Sequence, residues 1–122
     1  MLLTGTKTHQ VEPDITVFEI SGRLNLGSLL QSVEYSVQTL INSGVRKLVI
    51  DVTALTLIDS SGIGVLVSCG GLMDQLGGQV RVAGAQGSVA KVFEMVHMDR
   101  IVPVDADLSS ACRNFSGGAA TA

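Results

Sequence analysis

The sequence predicts an α/β domain built on a mixed sheet of about four to five strands, with an N-terminal hairpin and three to four helices. Three observations predict it. Two β-branched segments flank a proline turn near the N-terminus, strand-like and helix-like apolar periods then alternate to about residue 104, and the connections between them are short. A chain of 122 residues suits one domain with one core, and 46% hydrophobic against 16% charged residues excludes a disordered chain. With 3 Phe, 1 Tyr and no Trp, that core has to be aliphatic.

Residues 4 to 11 (TGTKTHQV) and 15 to 21 (ITVFEIS) read as paired strands, because β-branched residues dominate them and Pro13 presets a turn at Glu12-Pro13-Asp14. Gly22 closes the second strand. Leu26, Leu29, Leu30, Val33, Val37, Leu40 and Ile41 then recur at spacings of three and four, an amphipathic helix that Asn42-Ser43-Gly44 stops. RKLVIDV, residues 46 to 52, is the nearly continuous aliphatic run of a strand covered on both faces.

From Ser60, the positions Ile63, Leu66, Val67, Gly70, Met73 and Leu76 follow helical spacing until Gly77-Gly78 breaks it. This most apolar stretch falls short of the roughly 20 residues that span a bilayer, so a buried helix is expected and no membrane insertion. QVRVAG (79 to 84) alternates like a strand, and SVAKVFEMV places Val89, Val92, Phe93 and Val96 on one helical face. IVPV (101 to 104) contains Pro103, which confines a strand to the sheet edge. ADLSSACRNF suits a last helix. A single domain over residues 1–115 and a flexible tail over 116–122 are expected.

A net charge of -3 with only 8 Lys and Arg leaves no basic cluster for direct nucleic-acid binding. Cys69 and Cys112 have no CxxC spacing and only His9 and His97 could join them, so neither a metal site nor a disulfide framework is indicated, and both are expected to be small buried hydrophobes. No cofactor is expected; Met73, Met95 and Met98 are read as gap-filling core or interface residues. The N-terminus turns polar after three residues and lacks the core of a signal peptide, which points to the cytoplasm.

The stretch IDSSG, residues 58 to 62, lies where the central strand hands over to a helix, at the strand ends where such sheets meet ligands and partners. Asp59 or Ser60 suits an N-cap, whose oxygen accepts N–H groups left open in the first helical turn. A hydrolase elbow needs Gly two residues before the nucleophile, and Ile58 and Asp59 occupy those places. A phosphate loop needs a lysine that SGIG does not have, so Gly62 and Gly64 are better read as allowing close packing at the helix start. No enzyme site can be assembled. A phosphate carried by a serine at the helix start would be tolerated by the free N–H groups there.

Four segments resemble the STAS family, the domain shared by anti-sigma-factor antagonists and sulfate transporter tails. SGRLNLGS is similar to its G-x-L/I-D segment, KLVIDVTALTLIDSSGIGVLV to its central strand and serine-bearing helix start, GGQVRVAG to its next strand, and VFEMVHMDRIVPV to its L-x-x-x-G-L stretch. The resemblance covers roughly residues 8 to 113. It implies an anti-sigma-factor antagonist, a non-enzymatic phosphoswitch. Its unphosphorylated form binds an anti-sigma factor that is a serine protein kinase and so frees a sigma factor for transcription; its phosphorylated form lets go until a serine phosphatase resets it.

Carried over, the acceptor is Ser60, with Ser61 as the alternative, and Asn25, Asp59, Ser61 and Gly62 bind the partner or support the acceptor. Asn25 stands where the family usually has aspartate, and Arg23 where antagonists often have Glu, a reversal that bears on partner choice. His97 replaces a small residue of the family turn and is read as a packing variant. The resemblance also implies two alternatives without a phosphorylation cycle: a scaffold subunit of a signalling assembly, or an accessory subunit of a lipid transporter.

Overall fold

The computed structural model describes residues 5–11 and 13–120, with the side chains of Ser28 and of residues 116–120 outside that description. β1 (Gly5–Val11) and β2 (Ile15–Leu24) form the antiparallel hairpin, in register from Gly5 opposite Ser21 to Val11 opposite Ile15. Pro13 and Asp14 lie in its turn; Glu12 lies outside the described residues. There follow α1 (Ser28–Asn42), β3 (Lys47–Asp51), β4 (Leu55–Ile58), α2 (Ser60–Gln75), β5 (Gln79–Ala83), α3 (Gly87–Met95), a 3-10 turn at Met98–Arg100, β6 (Val104–Asp105) and α4 (Leu108–Ala120). The sheet order is β1-β2-β3-β5-β6, parallel throughout except at the hairpin.

The mixed sheet, the hairpin and the four α-helices agree with the expected class, and β4 is a strand the sequence pattern did not indicate. It pairs in parallel with the far end of β2, past the point where β3 stops. Gly22 makes this possible. Its φ of 91° bends β2 where the register shifts between Gly22 and Arg23, so the glycine prolongs the strand to Leu24 instead of closing it. Between β3 and β4 the Asp51 carboxylate accepts from the Thr53 N–H and hydroxyl, at 3.0 and 2.6 Å, and turns the chain.

Alternation along the strands sends Phe18, Ile20, Leu48, Ile50, Val80 and Val82 to one face, where α1, α2 and α3 cover them with Val33, Val37, Ile41, Leu66, Met73, Val89 and Phe93. The opposite face offers Ile15, Val17, Val49 and Ala83 to Ala111 and Phe115 of α4. The run Leu48-Val49-Ile50 of β3 is thus buried on both sides, as its continuous hydrophobicity requires. α2 buries Ile63, Val65, Leu66, Cys69 and Met73, and no helix among the described residues is long and apolar enough to cross a membrane.

α4 is fastened by a buried ion pair. Arg81 donates from Nε to Asp105 Oδ2 at 2.7 Å and from Nη2 to Oδ1 at 3.2 Å, Asn114 donates to the same carboxylate, and the guanidinium lies 5.7 Å from the Phe115 ring centroid. β6 is a two-residue edge strand directly after Pro103, and the backbone of α4 continues to Ala120. The expected tail over 116–122 therefore falls, in its side chains and last two residues, outside the described residues.

Two expectations are corrected, for Cys112 and His97. Cys69 is buried, and burial together with the Glu34 charge pushes its thiol up to about 11, but Cys112 is only partly buried beside α4's core contacts. Of the three methionines read as core or interface residues, Met73 and Met98 fill the core, and Met95 ends α3 at 78% exposure, where only the interface role is open to it. His97 is exposed and does not pack: it holds φ 54° and ψ 50°, the left-handed conformation that ends α3 and explains why a small residue suits this turn. Replacing His97 with Gly removes a Cβ that is unfavourable there, so His97→Gly should raise stability by about 1 kcal/mol, read as a higher urea midpoint at unchanged slope. A lower midpoint would show that the imidazole makes contacts worth more than the strain.

Candidate functional site

The pairing of β2 with β4 brings Leu24 beside Ile58, so the loop after β2 and the start of α2 leave the sheet side by side. Asp59 is the N-cap of α2, extended at φ -115° and ψ -175°, and its Oδ1 accepts the Gly62 N–H at 3.0 Å. Its Oδ2 accepts the Leu26 N–H at 3.1 Å, from the loop between β2 and α1. Its own N–H donates to the Leu24 carbonyl at 3.3 Å. One residue therefore caps a helix and ties down a loop.

Those N–H groups also set its charge. The Gly62 N–H, opposed by partial desolvation and assisted by Leu26 and Ser61, holds the Asp59 carboxyl below its ordinary value. A carboxyl lowered in this way contributes fully above the ordinary carboxylate range and is lost only as pH falls through its lowered value, so the clamp is complete at neutral pH.

Ser60, the first residue of α2, is exposed, and Ser61 is half-buried. Among the described residues nothing hydrogen-bonds either hydroxyl. Gly62 is buried, and a Cβ there would lie 2.5 Å from the Leu24 carbonyl oxygen and 2.7 Å from Ile58 Cγ1, which confirms the close packing expected of it. Gly64 does not share that role: it is exposed with open space where a Cβ would stand. Asn25 is half-buried between Leu24 and Leu26, the two residues that bond Asp59, a placement that the spacing could not by itself show. Arg23 is exposed on β2 opposite Leu57 of β4.

Two apolar residues at this end of the sheet go beyond the sequence reading. Leu26, counted in the periodic stripe of α1, lies before the helix and is 78% exposed; Gly27-Ser28 is the start signal that separates it from the stripe. Leu57 is 39% exposed, and with Thr56 it forms an exposed pair between the buried Leu55 and Ile58.

A cavity of about 430 Å³ is lined by Lys7, Glu19, Ser21, Asp51 and Thr53 and does not include Ser60. Among the described residues no three His, Cys, Asp or Glu side chains converge on a point. The arrangement offers an unencumbered hydroxyl beside a fixed carboxylate and an exposed leucine, which suits a macromolecular partner more than a small substrate.

Because Gly62 meets backbone and Gly64 meets nothing, the same substitution should act oppositely at the two. Gly62→Ala should cost about 1 to 3 kcal/mol through overpacking, and Gly64→Ala should be neutral or stabilise by up to about 1 kcal/mol through helix propensity. Urea unfolding of both variants checks this; equal midpoints would contradict the close approach of α2 to Leu24.

The sequence matches the STAS domain over residues 6–111. The structure is similar to that of an anti-sigma factor antagonist from Mycobacterium paratuberculosis, at 18% identity and TM-score 0.82 over 92% of this chain and 93% of that one. It is also similar to the Bacillus cell fate determinant SpoIIAA in its phosphorylated form, at 19% identity and TM-score 0.68 over 91% and 99% of the two chains. A third likeness is to RsbS of Moorella thermoacetica in a serine-to-glutamate variant, at 24% identity and TM-score 0.73 over 93% and 97%. At these identities the structural likeness speaks for the fold, and the family match spans most of the sequence. The chain belongs to the STAS domain family.

Proposed function

We propose that this protein is an anti-sigma-factor antagonist of the cytoplasm, a non-enzymatic switch that binds an anti-sigma-factor serine kinase when Ser60 is free and releases it when Ser60 is phosphorylated. The observation that carries this is the exposed Ser60 hydroxyl, unbonded among the described residues, at the first turn of α2. The kinase moves the γ-phosphoryl group of ATP onto Ser60 Oγ, the hydroxyl proton leaves and ADP is released; a serine phosphatase hydrolyses the ester and restores the hydroxyl. Ser61, half-buried, is the less accessible alternative. Support comes also from similarity in fold to antagonists, one of them solved both with and without phosphate.

The same phosphate has different consequences in two settings. On the free domain it faces solvent and the positive end of α2, an attraction of about 0.3 to 1 kcal/mol that the Asp59 charge partly cancels. At a docked interface it has to be desolvated, and a penalty of about 3 to 4 kcal/mol would weaken binding by some two to three orders of magnitude. Asn25 retains hydrogen-bonding capacity in the loop that Asp59 holds, without adding a second carboxylate, and Arg23 alters the charge that a partner meets.

A second reading, a scaffold subunit without a phosphorylation cycle, is favoured by the likeness to RsbS and to a stressosome structure. The two separate on one measurement. Ser60→Ala should bind the serine kinase persistently, and Ser60→Asp should bind it weakly while melting within a few degrees of the parent. Calorimetry of the three proteins against that kinase checks this, and equal affinities for the Ala and Asp variants would remove the phosphoswitch.

A further inference from the structure

We propose that Asp59 couples Ser60 to the β2–α1 loop, so that a phosphoryl group on Ser60 loosens the Asp59–Leu26 hydrogen bond and frees the segment that presents Leu26. The proposal rests on the reading of Ser60 as the acceptor and names how its modification is passed on. The starting point is the supply of N–H groups at the head of α2. Asp59 Oδ1 takes that of Gly62, the Asp59 carbonyl takes that of Ile63, and the Leu24 carbonyl takes that of Asp59 itself. A phosphate on Ser60 is left with the N–H groups of Ser60 and Ser61, in the half turn that the Asp59 carboxylate already faces. Two anions then share one helix end.

Of the two Asp59 bonds, the one to Gly62 is part-buried and lies within a single helical turn, while the one to Leu26 is exposed and joins segments 33 residues apart. The exposed, long-range bond is the one that yields first, since water replaces it at little cost and the loop gains freedom. No other ionised side chain shares in the Asp59 shift, which arises from N–H groups and burial. β4, residues 24–33 and the first turns of α2 contain no other charged residue, and Arg23 is the charge preceding the loop. α3, which packs against β4, carries Lys91 and Glu94, and neither they nor Arg23 contribute to the Asp59 shift. What moves is an apolar contact: Leu26 is 78% exposed, and its N–H is held by Asp59.

The coupling is testable on the full chain without any kinase, by introducing phosphoserine at position 60 during translation into nitrogen-15-labelled protein. The Leu26 amide should exchange about tenfold faster than in the unmodified protein, the weight of a charge-assisted hydrogen bond. Its proton signal should also shift upfield as the phosphate takes its second charge, near pH 6. Amides of Val33 and Ile50 should not change. In phosphorylated Asp59→Asn, which keeps an acceptor and loses the charge, the Leu26 response near pH 6 should vanish while the Ser61 amide still follows the phosphate. Leu26 exchange within twofold of the parent, or a Leu26 response undiminished in Asp59→Asn, would overturn the coupling. Equal kinase affinities of the Ser60 variants would instead remove the antagonist reading and leave the coupling standing.

Discussion

The Asp59 carboxylate accepts the N–H of Gly62 within its own helix start and that of Leu26, 33 residues before Asp59, and the end of the sheet that carries Ser60 depends on those two hydrogen bonds. Without them α2 would begin uncapped and the loop that carries Asn25 and Leu26 would have no fixed place. The clamp is possible only because β2 and β4 end side by side and because Gly62 lets α2 sit against the Leu24 carbonyl. Fold and site therefore meet at a few backbone atoms at one end of the sheet.

The rest of the molecule keeps that end still. Three helices seal one face with an aliphatic core, and α4 seals the other through Phe115, Ala111 and the Arg81–Asp105 pair. A buried pair of this kind is weak evidence for net stability, since desolvation offsets the attraction, but losing one partner would strand the other charge. Its place on β5 and β6 puts it on the face opposite α2's packing, so α4 serves the scaffold while the β2 and β4 ends serve the surface. Ser60 is accordingly exposed at the start of α2, where a modification would alter the surface without entering the core.

Much of the fold was legible because the dominant periods are local. Val33, Val37 and Ile41 mark α1, the run Leu48-Val49-Ile50 marks a doubly covered strand, and Asp59 with Ser60 marks a helix start. β4 was not legible, because four residues of LTLI become a strand only when a bend at Gly22 carries β2 over to them. Leu26 continues the apolar spacing of α1 and yet lies outside it, since Gly27 takes φ 153° and the helix starts after that residue. Arg81 looks like the exposed position of an alternating strand, and its partner Asp105 is 24 residues away, beyond any local pattern. In the site the cap was legible from residue type, and the second bond of the same carboxylate was not, because it belongs to the topology.

The account turns on whether Ser60 carries phosphate in the cell. Phosphopeptide mass spectrometry of the protein isolated from its own cells, with fragment ions that separate Ser60 from Ser61, tests this most directly. The account predicts phosphate on Ser60 in a fraction that changes with growth condition and disappears in Ser60→Ala. Peptides unmodified at both serines in every condition, from cells in which the serine kinase is present and bound to the protein, would contradict it.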